Sequence, residues 1–131
     1  MKTHKLFFLV FCFAITNLAF SQSGIQNVCL SPVDQHVDVT STNSANFIWS
    51  LRHGASAWDI EVGEVGFEPG QGDFISRYKV RQSAPSISTK VEFTMRGLEP
   101  GTVYNVFIRT NCGGGDFSEW SKPVTFTTKS L

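Results

Sequence analysis

The chain has 131 residues, 41% of them hydrophobic, 17% charged and 13% aromatic, and its eleven Lys plus Arg balance eleven Asp plus Glu. That length holds one small domain. A near-neutral chain without a Lys/Arg cluster lacks the footprint of non-specific nucleic-acid binding and of anionic-lipid recognition, so neither nucleic acid nor a membrane surface is an expected partner.

Lys2, His4 and Lys5 precede an apolar run, Leu6 to Ala19, interrupted only by Thr16 and Asn17, and Ala19-Phe20-Ser21 sets small residues three and one before a cut. This pattern predicts a signal peptide over 1–21, a short segment 22–28, a domain over 29–128 and a tail of 129–131. A transmembrane anchor would need about 20 apolar residues, and the run is shorter, so no membrane insertion is expected after the leader is removed. Lipid anchoring would need a Cys at the new N-terminus, whereas Cys12 lies inside the leader. The expected location is secreted or in the cell envelope: periplasm, cell surface or extracellular space. There the chain would carry only Cys29 and Cys112, in an oxidising compartment. One pairing is possible, and a bridge closing about 84 residues would stabilise by roughly 4.5 kcal/mol in the chain-entropy estimate; two separate buried thiols are the alternative. A lone Cys pair without nearby His is not a zinc pattern.

From Val33 onward apolar and polar residues alternate, and no stretch keeps helical spacing. Val37 and Val39 suggest a first strand; Ala45 to Leu51 a second, with Phe47, Trp49 and Leu51 on one face; and Ser41-Thr42-Asn43-Ser44 the turn between them. Trp58, Ile60 and Val62 alternate with Asp59, Glu61 and Gly63, which predicts a third strand with one wet face. Pro69-Gly70-Gln71-Gly72 breaks the chain, and Ile75 to Val80 forms the fourth strand. After the loop Ser83 to Ser88, a fifth strand carries Val91, Phe93 and Met95. The sixth points Tyr104, Val106 and Ile108 one way and Asn105, Phe107 and Arg109 the other. A Gly-rich loop, Asn111 to Asp116, leads to Val124 to Thr128, the seventh. The fold class expected is therefore all-β, a seven-stranded sandwich.

Trp49, the run Leu98-Glu99-Pro100-Gly101-Thr102-Val103-Tyr104, and Trp120-Ser121-Lys122-Pro123 ahead of Phe126 resemble the fibronectin type III domain over about Cys29 to Thr128. The resemblance implies an immunoglobulin-like sandwich with a tyrosine corner, in which the Tyr104 hydroxyl meets backbone a few residues upstream. Trp49, Leu98, Pro100 and Tyr104 are then fold-specifying. It also brings the chain start and the loop after the sixth strand to one pole, which suits a Cys29 to Cys112 bridge. The Cys positions and Gly66-Phe67-Glu68-Pro69-Gly70 look similar to modules of exported bacterial proteins. Between Gly72 and Leu98 the chain looks roughly ten residues longer than a typical member, and no Arg-Gly-Asp tripeptide occurs, so integrin recognition is not implied. Phe117-Ser118-Glu119-Trp120-Ser121 is similar to the Trp-Ser-x-Trp-Ser box of cytokine receptors, where arginines stack on the Trp; Arg109 is the candidate here.

Catalytic constellations are not evident: His36 and His53 lack a flanking nucleophile motif, Gly113-Gly114-Gly115 lacks the Lys of a phosphate loop, and Asp116 stands alone. Asp59 and Glu61, two apart, share a strand face as glycosidase carboxylates do, but also as any solvated strand face does. No catalytic residue, cofactor or metal is expected. Binding remains. One candidate surface is the strand face with Val103, Asn105, Phe107 and Arg109; the other is the pole with Arg52, His53 and Gly54 and the loop Asn111 to Phe117, and Trp120 is a further aromatic candidate. An exposed edge strand adding to a partner's sheet is a third route that the sequence does not specify. The expected function is thus an exported non-catalytic module for protein recognition or adhesion, with a protein partner favoured over a glycan and a monomer unless part of an assembly. A structural subunit of an envelope assembly and a carbohydrate-binding accessory domain are the alternatives.

Overall fold

The computed structural model describes residues 28–39, 41–52, 54–82 and 89–131. The leader and its cut, His53 and the loop 83–88 lie outside them. Eight strands follow in chain order: β1 (Val33–Val39), β2 (Ser44–Ser50), β3 (Ala57–Glu64), β4 (Ser76–Arg81), β5 (Lys90–Arg96), β6 (Val103–Gly113), β7 (Asp116–Phe117) and β8 (Val124–Thr127). One antiparallel sheet runs β1-β2-β5; the other runs β4-β3-β6, with β8 beside the first half of β6 and β7 beside its end. The difference from seven strands is β7, two residues beside the end of β6 where the sequence predicts no strand; the predicted last strand, Val124 to Thr128, is β8.

The alternation predicted from the sequence sends one side chain in two between the sheets. Phe47, Trp49, Trp58, Ile60, Val62, Met95, Tyr104, Val106, Ile108 and Phe126 form the core. Trp49 sits at its centre, 5.5 Å from the Phe47 ring and 5.3 Å from that of Trp58 in an edge-on arrangement, a geometry favoured by the ring quadrupoles. The turn before β6 is held by the Glu99 amide donating to the Tyr104 hydroxyl at 2.8 Å, and Gly101 there takes a positive φ.

Cys29 and Cys112 form a disulfide with their Cα atoms 5.9 Å apart, spanning 83 positions. It ties the segment before β1 to the end of β6. Beside it, Thr110 Oγ1 donates to the Leu30 carbonyl at 2.7 Å and Ser31 Oγ to that of Glu119 at 2.8 Å.

β3 departs from its expected wet face. Asp59 is 3% and Glu61 1% exposed. The sequence pattern is that of a half-solvated strand, but the connection from Val65 to Ile75 doubles back over the outer face and covers it. Gly63 marks the closest approach: a Cβ there would lie 2.8 Å from the Phe67 ring.

Candidate functional site

The outer face of the β4-β3-β6 sheet is built by register. Asp59 of β3 stands opposite Arg109 of β6 and Lys79 of β4; Glu61 stands opposite Phe107 and Arg77. Arg109 Nε and Nη2 both donate to Asp59 Oδ2 at 3.1 Å, and Arg77 Nη2 reaches the same oxygen at 3.7 Å. Glu61 accepts from the Gly70 amide at 2.9 Å, so this carboxylate fastens the doubled-back connection to the sheet. The two acids therefore share a face, as their spacing predicts, yet each is occupied by a structural partner.

Between β7 and β8 the chain bonds to β6 through serine hydroxyls. The Thr110 amide donates to Ser118 Oγ at 2.8 Å and the Ile108 amide to Ser121 Oγ at 3.0 Å, while the Ser118 and Ser121 amides donate to the carbonyls of Thr110 and Ile108. Because the contact recurs every third residue, Phe117 and Trp120 fall on one side, as threefold extended backbone requires. The Arg109 guanidinium lies 3.8 Å from the Phe117 ring centroid and 4.5 Å from that of Trp120. A planar cation held by a buried carboxylate is thus flanked by two rings, an arrangement only Arg can make.

The sequence-derived candidates separate here. Phe107, expected to face water, is 8% exposed: the Phe67 ring packs edge-on against it at 5.1 Å, which removes it from the candidate surface. Trp120 is half-buried, over Gly70. Arg109 is half-buried in its ladder. Phe117 remains exposed, at 38%. Arg52 reaches the same pole, its Nη1 donating to the Ser31 carbonyl at 3.3 Å. The sequence marks Phe67 and Gly70 as part of a family-like segment and a chain break but gives neither them nor Arg77 a place at this face; the signal for Phe67 was Gly63, a glycine where the alternation called for a polar side chain. Cys29, Cys112 and Asp116 cluster, but sulfurs joined to each other offer no thiolate to an ion. No helix among the described residues is long and apolar enough to cross a membrane.

Two antiparallel sheets packed face to face, with a tyrosine corner at the turn into β6, define an immunoglobulin-like sandwich. The model of the fibronectin type III domain matches residues 31–127, and the chain belongs to that family, whose members are modules commonly used in binding or adhesion and typically non-catalytic. The structure is similar to the FN1–FN3 domains of chicken CNTN1, with a TM-score of 0.60 at 14% identity over 78% of this chain and 33% of that one. It is also similar to the FN5 domain of Drosophila Lar, at 0.56 and 18% identity over 79% of this chain and all of that one. A computationally redesigned β-sandwich protein aligns at 0.52 and 25% identity over 78% of this chain and 92% of its own. The chain spans about a third of the CNTN1 structure and one whole domain of the Lar type. No curated protein matches it.

Proposed function

We propose that the chain is an exported, non-catalytic recognition domain that holds a protein partner at the pole around Phe117. The observation that carries this reading is the exposed Phe117 ring seated on the Arg109 guanidinium, with the disulfide and the Ser31 to Glu119 bond fixing the backbone beside it. An aromatic anchor fixed before binding loses little conformational entropy when a partner covers it, and Phe beside Arg is the mix that dominates interface energetics. Arg52 supplies a second polar anchor at the same pole. The disulfide and the family are consistent with export, and the leader pattern of 1–21 is what such a chain needs to reach an oxidising compartment.

The test is capture by the immobilised mature chain, from envelope or secreted material, with Phe117→Ala and Arg52→Ala as controls. The expected result is saturable binding weakened about tenfold or more by Phe117→Ala, the scale of an interface hot spot, with the domain still folded and its melting temperature lowered only slightly by loss of the ring on Arg109. Binding indifferent to both substitutions overturns the assignment of the pole. Mass measurement of the exported species should give a chain beginning at Gln22; an uncleaved chain refutes the export reading.

A further inference from the structure

One edge strand of each sheet carries charge of a single sign, acidic on β1 and basic on β4. β1 is hydrogen-bonded to β2 alone and β4 to β3 alone, so neither has a second strand in its ladder among the described residues, although β8 passes close to β1 and the Lys129 amide bonds to the Ser41 carbonyl beyond its end. On β1 the exposed positions are Asp34, at a bulge, and His36 and Asp38 of the regular strand; on β4 they are Arg77, Lys79 and Arg81. Ser50 Oγ donates to Asp34 Oδ2 at 3.1 Å, which holds that carboxylate on the same side. Arg77 leans on Asp59 and on the Phe74 ring. No ion pair involves Asp34, Asp38, Lys79 or Arg81 among the described residues.

Like charges along a single edge keep that edge from pairing with its own copy, since β4 against β4 sets base on base and β1 against β1 sets acid on acid. The same arrangement is complementary when unlike edges meet. His36 and Asp38 of the regular strand, with Asp34 before them at the bulge, face Arg77, Lys79 and Arg81 at alternate positions, so acid meets base whichever way the strands run. Strand spacing then sets Asp38 beside a cation, with Asp34 adding to the acidic field of the edge.

We infer that the β4 edge of one molecule receives the β1 edge of a second copy of this chain, so that the protein assembles head to tail at low ionic strength. The contact is heterologous: every joined molecule leaves one free acidic edge and one free basic edge, and growth continues as a linear array. The bulge at Asp34, a non-glycine residue at φ 57, shortens the regular part of β1 to the stretch after Gln35. That keeps the contact small and reversible. It goes beyond recognition at the Phe117 pole and uses a different surface, so Phe117→Ala should leave it unchanged.

The experiment is sedentation-equilibrium centrifugation of the mature chain across micromolar to millimolar concentration, at low salt and at physiological salt. The expected result is a mass that rises with concentration, with association about tenfold or more weaker at physiological salt, where the Debye length falls from about 30 Å at 0.01 M to about 8 Å. Lys79→Glu with Arg81→Glu should abolish self-association, as should Asp34→Lys with Asp38→Lys. Mixing the two charge-reversed proteins should restore association as an alternating array, because the acidic β1 of the first meets the basic β4 of the second and the acidic β4 of the first meets the basic β1 of the second. His36→Asp should tighten the wild-type array. A monomer at every concentration in low salt overturns the inference, as does association indifferent to either charge reversal. A monomer whose β4 edge instead binds an acidic peptide of alternating Glu and Val also overturns it in favour of a foreign strand.

Discussion

The outer faces of the two sheets begin from the same sequence rule and end differently. In β1-β2-β5 the polar half of the alternation stays wet: Asp34, His36, Asp38, Glu92 and Arg96 are exposed. In β4-β3-β6 the polar half of β3 is buried under the connection from Val65 to Ile75, and its acids become internal fastenings for Arg109 and for the Gly70 amide. A charged residue at an alternate position therefore does not by itself announce solvent. What decides is whether a neighbouring segment is long enough, and carries the right aromatic, to come back over the sheet.

That contrast can be broken from its strongest point downward. Reducing the disulfide, or Cys29→Ser with Cys112→Ser, should cost about 2 to 5 kcal/mol and lower the melting temperature by many degrees; calorimetry with and without reductant reads it, and equal melting would refute a stabilising bridge. Arg109→Ala leaves Asp59 buried with only the longer Arg77 contact, which should cost about 3 kcal/mol. Arg109→Lys should recover only part of that in urea denaturation, because an ammonium cannot lie flat between Phe117 and Trp120. Gly63→Ala pushes against the Phe67 ring and should cost about 1 to 2 kcal/mol, and Phe67→Ala combined with it should be less than additive because the two act on one contact. On the wet sheet, Thr94→Ala loses a hydrogen bond to Asn46 Oδ1 at 2.8 Å and should change stability by less than about 1 kcal/mol. A Thr94 effect as large as that of Arg109 would erase the distinction between the faces.

The core was legible because side-chain direction follows the period of two: Phe47 and Trp49, then Trp58, Ile60 and Val62, then Tyr104, Val106 and Ile108 all point inward where the spacing puts them. The turn before β6 was legible through Leu98 to Tyr104, whose residue types serve one geometry. The roof over β3 was not, because its contacts join residues on different elements. Nothing in Asp59 or Glu61 distinguishes a solvated acid from one facing Gly70 or Arg109, and Phe107 reads as outward until Phe67 is placed on it. The segment between β7 and β8 was hidden for another reason. Its pairing with β6 runs through the hydroxyls of Ser118 and Ser121, so the segment bonds to the sheet without alternating as a strand does. The stacking of Arg109 on Trp120 was legible through the box that includes Trp120.

The bridge between Cys29 and Cys112 also imposes an order in time. In a chain exported as proposed, Cys29 would enter the oxidising compartment early and wait as a free thiol while nearly the whole domain follows it, since its partner lies 83 positions on. With Cys12 removed in the proposed leader, the given sequence would keep no third cysteine, so no incorrect bridge could form within one molecule. Maturation would then call for an oxidant and no isomerase, and the closed bridge serves as a chemical record that β6 has arrived beside the start of β1.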